Sequence, residues 1–216
     1  MYKYLFPLFI MCSVSTFAQK GFFIKPNIGS GITSTRMLTT TPRKIHGTTA
    51  GIQLGYSFSR LRLGIGAAIL NTGFCLKNLA FESGYNPQTG TATETFDYTT
   101  RFNDLLIPIS VGFTIPTRGK LAIIPEVSFA PSFTLRNTSK FEYQPSGDIT
   151  RNTTTHIANR FTTFGIASVN LVYNITPHIG IFLSPTYYRS FNNVLKARPG
   201  FTMYAITANA GVIWKL

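Results

Sequence analysis

Three features of this 216-residue sequence predict an all-β fold, an eight-stranded antiparallel up-and-down transmembrane β-barrel. After residue 20, large apolar residues alternate with small or polar ones, the two-residue period of a strand whose faces meet different surroundings. The connections between these segments alternate between tight and long. No uncharged apolar run after residue 20 is long enough to cross a bilayer as a helix. A membrane location would therefore be met by strands closed on themselves, the other arrangement that satisfies every backbone polar group in lipid.

The first twenty residues, "MYKYLFPLFIMCSVSTFAQK", place Lys3 before an uncharged, mostly apolar run from Leu5 to Ala18. This pattern predicts a secretory signal peptide over 1–18, cut after Ala18. The run falls short of the ~20 residues of a spanning helix, and Met11 before Cys12 does not suit a lipoprotein signal. Residues 19–216 then form one barrel domain, exported to the cell outer membrane. Cys75 is the single cysteine left, so that domain holds no internal disulfide and no cysteine-based metal site. Charged residues are 12% of the chain, about half the share usual in soluble domains. The net charge of +13 on an exported chain argues for anionic lipid and lipopolysaccharide head groups as partners, and against nucleic acid.

In order, the strands are predicted near 22–35, 46–59, 61–78, 95–116, 121–138, 155–176, 178–193 and 201–216. None shows helical spacing with caps. Ser59-Arg60, "TRGK" at 117–120 and Thr176-Pro177 are the tight turns. The long connections cover about 36–45, 79–94, 139–154 and 194–200, with turn signals such as "YNPQTGT", "YQPSGD" and "KARPG". Both termini fall at the short-turn end, which is periplasmic in this architecture. Segments of 14 to 22 residues exceed the ~9–11 needed to cross, so hairpins project beyond the outer leaflet.

Parity assigns the faces. Ala50, Ile52, Leu54, Tyr56 and Phe58 alternate with Thr49, Gly51, Gln53, Gly55 and Ser57. In "DLLIPISVGF", Leu105, Ile107, Ile109, Val111 and Phe113 form an oily face opposite Asp104, Leu106, Pro108, Ser110 and Gly112. Pro108 predicts a bulge or local irregularity, in a wall whose neighbour carries Pro125 and Pro131. Tyr56, Phe58, Phe113, Tyr173 and Trp214 near the short turns, and Phe133, Phe161, Tyr187 and Tyr204 nearer the long loops, suit two aromatic girdles. A soluble sandwich would alternate likewise. Its solvent face would carry more Lys and Glu than the Gly, Ser and Asn found here.

The non-oily face sends Lys25, Asn27, Gln53, Arg62, Asp104, Ser110, Glu126, Ser128, Arg136, Arg160, Asn170, Asn174, Thr207, Asn209 and Lys215 into the lumen. Buried charges must pair. Two clusters are expected: Lys25, Arg62 and Lys215 around Glu126 in the lower half, and Arg136 and Arg160 around Asp104 toward the outer end. This lumenal network is read as a structural plug, since eight strands leave room for side chains and not for a diffusion channel. A small ion or solute channel, porin-like in the loosest sense, is the alternative use of the lumen.

Chemistry is sparse. His46, His156 and His178 do not share one end of the barrel, and no G-x-S-x-G motif or close His–acid pair occurs. No catalytic residue, cofactor or metal ligand is expected. A lipid-modifying barrel enzyme, the rival reading, would use His46 or His156 with a nearby Ser or Thr. "RMLTTTPRK" at 36–44 and "KARP" at 196–199 put basic charge in the long loops, suited to lipopolysaccharide phosphates.

"DLLIPISVGF", the basic turn after it, "IIPEVSFAPSF" and the terminal "ITANAGVIWKL" resemble the PorT-like outer-membrane β-barrel domain family. The resemblance runs from about Gly21 to Leu216, and the overall plan is similar to small OmpX- and OmpA-type barrels. It implies outer-membrane residence and a role in secretion machinery or an unknown one. The ending Trp214-Lys-Leu216 departs from the terminal aromatic of many outer-membrane barrels. Together these readings give a non-enzymatic barrel that presents extracellular loops or serves as an embedded part of an envelope or secretion complex.

Overall fold

A computed structural model describes residues 20–36, 42–86, 90–117, 119–144, 159–195 and 201–216. The expected signal peptide, His156 and "KARP" lie outside these residues. The strands are β1 (Gly21–Arg36), β2 (Ile45–Phe58), β3 (Leu61–Asn86), β4 (Gly90–Leu106), β5 (Ile109–Phe113), β6 (Ile115–Pro116), β7 (Leu121–Gln144), β8 (Phe161–Asn174), β9 (Ile179–Ser190) and β10 (Thr202–Lys215). β4, β5 and β6 are successive pieces of one wall, so the ten strands make eight walls. Each wall is antiparallel to the next. β1 closes the ring on β10, from Phe23 opposite Lys215 to Arg36 opposite Thr202. The chain is an eight-stranded antiparallel up-and-down transmembrane β-barrel.

Its exterior explains why it closes this way. Ile28, Leu54, Ile65, Ile109, Val127 and Leu183 point out and are each at least half exposed. A continuous apolar band of that kind suits a lipid solvent and not water. Aromatic pairs lie near both edges: Phe22 with Tyr56 and Tyr56 with Phe58 at the short-turn end, Phe133 with Phe161 at the other.

The wall holding "DLLIPISVGF" is interrupted at Ile107–Pro108. The Ile107 N–H donates to the Pro131 carbonyl and the Gly66 N–H to the Pro108 carbonyl, both at 2.9 Å. The return bonds cannot form, because Pro131 and Pro108 have no N–H. Yet register does not slip. Ala68 opposes Leu106 and Ile65 opposes Ile109 on one side; Ser132 opposes Leu106 and Phe129 opposes Ile109 on the other. The irregularity is a gap in the ladder and not a bulge.

The bulge is elsewhere on β7. Asn103 opposes Arg136 and Asp104 opposes Thr134, which leaves Leu135 as an extra residue. Below it the even residues of β7 face inward; above it Asn137 and Ser139 do. The phase flips at the bulge, and Leu135 and Arg136 both lie exposed.

Three walls run longer than expected. β3 reaches Asn86, and its pairing with β4 continues to Asn86 opposite Gly90; β4 stays paired with β7 as far as Thr95 opposite Gln144. They form a blade above the barrel rim. On the other edge of β3, pairing with β2 goes no higher than Thr48 opposite Asn71. There Thr33 of β1 reaches over to β3, donating to the Gly73 carbonyl (2.9 Å) and accepting from the Gly73 N–H (3.0 Å). Gly47 permits the crossing, because a Cβ there would lie 2.3 Å from Thr33 Cγ2.

Candidate functional site

The lumen is built in layers. At the short-turn end Phe23, Ile124, Val172, Phe182 and Ile213 pack into an apolar floor. Higher up, Leu70, Leu106, Ala130, Phe164, Tyr188 and Ala205 form a second apolar layer. At the long-loop end Phe74, Leu76, Phe102 and Met203 meet Val194, Leu195 and Phe201, which fold in from the β9–β10 connection. A backbone bond from Val194 N–H to the Phe201 carbonyl (3.0 Å) holds that connection in place.

Between floor and second layer lies the polar network. Lys25 donates to both carboxylate oxygens of Glu126, at 2.9 and 3.2 Å. Gln53 donates to the same carboxylate at 3.2 Å and to Ser110 Oγ. Asn170 ties the carboxylate to the wall, donating to the Ile124 carbonyl at 3.0 Å and reaching Glu126 at 3.5 Å. Asn209 donates to Thr186 Oγ1 at 2.9 Å and accepts from Thr207. A cavity of about 70 Å³ sits among these groups, room for a few waters with polar partners on several sides. Both charged side chains are about nine-tenths buried, at 8% and 11% exposure, so each supplies the compensation the other needs.

Arg62 and Lys215 belong to this end but not to the ion pair. The Arg62 guanidinium lies 4.0 Å from the centre of the Phe23 ring. Its Nε and Nη2 are buried without a hydrogen-bond partner. Lys215 Nζ donates to Asn174 Oδ1 at 2.9 Å. The lower cluster is thus one ion pair with two further cations near it.

The upper cluster does not form as expected. Asp104 is buried, but its carboxylate accepts from Thr134 Oγ1 at 2.7 Å, and no cation pairs with it among the described residues. Arg136 is turned out by the Leu135 bulge. Arg160 precedes the first residue of β8, so strand alternation does not extend to it, and it too is exposed. The bulge breaks the alternation at Arg136, and the start of β8 ends it before Arg160.

Sequence reasoning also missed the apolar layers. The signal is present in the sequence: Leu70, Phe74, Leu76, Phe102 and Phe164 occupy lumenal parity positions among the polar residues. Among the described residues no group of His, Cys, Asp and Glu is arranged to hold a metal ion. His46 Nε2 lies 2.7 Å from Ser30 Oγ on the exposed surface of β1 and β2. No acid bonds to His46 among the described residues. His178 Nδ1 is 3.2 Å from the Lys215 carbonyl, at the short-turn end.

The sequence matches no family model and no curated protein. In shape the chain is similar to several solved barrels. Neisserial surface protein A shares 13% identity over 91% of this chain and 97% of its own, with a TM-score of 0.47. The outer membrane protein OprG from Pseudomonas aeruginosa shares 10% over 91% and 96%, with a TM-score of 0.43. The Escherichia coli outer membrane protease OmpT shares 11% over 95% and 99%, with a TM-score of 0.42. The fold assignment stands on the closed ring of strands in this chain itself.

Proposed function

We propose that this protein is a non-enzymatic outer-membrane barrel whose working surface is the blade of β3, β4 and β7 with the long connections beside it, held on a plugged and rigid base. One observation carries the reading. Three apolar layers cross the lumen, and the upper one draws in the β9–β10 connection, so the interior is built as a core. A blocked lumen leaves the surface beyond the membrane as the place to act, and loops on a rigid scaffold are where binding is usually found.

The length of the blade supports this. β3 continues some fifteen residues past Asn71, roughly 50 Å of strand at ~3.4 Å per residue. Tyr98 and Phe141 meet across it as tilted rings with centres 4.9 Å apart, and Tyr98 Oη lies 3.1 Å from Ser139 Oγ. Within the same reading, the protein is an embedded component of an envelope or secretion complex, as its likeness to the PorT-like domain family implies. The apolar band and the aromatic girdles favour the outer membrane.

Removing residues 80–94 and joining the shortened strands tests the proposal. The truncated barrel should fold and fractionate with the outer membrane, yet lose the proteins that co-purify with the intact chain from detergent-extracted envelopes. Retention of the same partners would overturn it. The lipid-modifying reading has one observation in its favour, the Ser30–His46 contact. His46→Ala should leave the mass profile of envelope lipids unchanged; an altered profile would favour the enzyme.

A further inference from the structure

Arg136, expected inside, lies outside; Arg160, expected inside, is exposed just before β8; and a third arginine is close by. Arg101 is exposed between Thr100 and Phe102, both fully buried in the lumen, so it points outward. Asn103 opposes Arg136 and Arg101 opposes Thr138. Arg101 is therefore the diagonal neighbour of Arg136 on one face, a separation of roughly 7–8 Å that long side chains span. Arg160 adjoins them, its carbonyl accepting the Thr134 N–H at 3.0 Å.

Like charges so placed repel unless something neutralises them. None of the three guanidinium groups has a hydrogen bond or ion pair among the described residues. The nearby carboxylates among the described side chains are committed elsewhere. Asp97 accepts from Asn78 N–H and faces Lys77 at 3.7 Å, Glu142 pairs with Lys140, and Asp104 faces the lumen. Directly below lie the lipid-facing side chains of Phe133, Leu135 and Phe161, each more than two-fifths exposed. The cluster thus sits at the outer edge of the apolar band, the level of lipid head groups. A β-bulge is a device that re-aims a side chain, and this one takes Arg136 from the lumen to that edge.

We propose that Arg101, Arg136 and Arg160 form a docking site for the phosphate of an outer-leaflet lipid head group, of the kind lipopolysaccharide carries on its lipid A. Guanidinium forks bind phosphate oxygens in pairs, and the phenyl rings and Leu135 beneath them meet the acyl chains. Asn103 accepts from Asn71 through Oδ1 at 2.6 Å, which leaves its own amide hydrogens as further donors. The site rests on the outer-membrane reading above.

The test uses the full mature chain in non-ionic detergent, with lipid binding followed by native mass spectrometry. Bisphosphorylated lipid A should bind at least tenfold more tightly than the same lipid stripped of phosphate. Arg101→Gln, Arg136→Gln and Arg160→Gln should each weaken it about fivefold, and the first two together well over tenfold. Arg136→Lys should fall between, keeping the charge without the fork. Lys120→Gln, at the opposite rim, should change nothing, and urea midpoints should show that every variant is folded. Equal binding of the stripped lipid, equal loss in Lys120→Gln, or full displacement by millimolar inorganic phosphate would each overturn the proposal, the last by showing a free-anion site. Membrane fractionation of the wild type reports separately on the outer-membrane reading, since the detergent measurement does not depend on it.

Discussion

Replacing Glu126 by Gln should damage this barrel more than replacing Lys25 by Met, although the two form one ion pair. Glu126 is the only carboxylate described in the lower lumen, where Lys25, Arg62 and Lys215 all carry positive charge. Removing it leaves the Lys25 ammonium, 8% exposed, without a counter-ion and takes the nearest negative charge away from Arg62. Breaking a buried pair from one side costs about 3–5 kcal/mol. The reverse change is milder. Without Lys25, the Glu126 carboxylate keeps the Gln53 and Asn170 donors and the field of Arg62, so about half that loss, ~2 kcal/mol, is expected. Trp214 is the single tryptophan and faces the apolar band. Its emission therefore reports the passage from detergent or lipid into water. In urea titrations with a slope near ~2 kcal/mol per molar, the midpoint should drop by roughly 2 M for Glu126→Gln and about 1 M for Lys25→Met. If Lys25→Met proves as costly as Glu126→Gln, or costlier, the excess-cation argument is wrong.

Deleting Leu135 should leave a folded barrel, because without it Thr134, Arg136 and Asn137 already alternate in, out and in; deleting Val127, in the regular part of β7, should abolish folding into micelles by inverting one stretch of wall. The folded fraction after dilution from urea distinguishes these outcomes. Phe102→Ala opens a hole in the uppermost apolar layer and should cost about 3–5 kcal/mol by the same titration. Pro108→Ala supplies the missing donor opposite Gly66, and the new bond and the lost ring stiffness offset each other to within ~1 kcal/mol. Its signature is a slowly exchanging amide at position 108.

Much of the architecture was legible because strand periodicity is local. Leu105 to Phe113 show their two faces to anyone counting by twos, and Ser59-Arg60 announces a tight turn by its shortness between alternating runs. The errors came where local counting met a non-local event. Arg136 obeys the parity of Glu126 and Ser128 on paper. An extra residue opposite Asp104, visible only in the pairing with β4, changes its side. Pro108 was rightly suspect, but whether a proline shifts register depends on both neighbours, and here β3 and β7 hold the same register above and below it.

The sequence by itself determined the strands, their sidedness, the tight turns and the shortage of carboxylates at one end, since each follows from covalent order and a two-residue period. Tertiary structure alone decided which charges meet. Lys25 and Glu126 are 101 residues apart, and they pair because closing the ring brings β1 and β7 across one narrow lumen. It also decided that Asp104 is served by Thr134, and that Arg101 and Arg136 share the outer face with Arg160 exposed beside them. The reason is physical: periodicity states which face a residue takes, whereas register, bulges and closure state what it finds there.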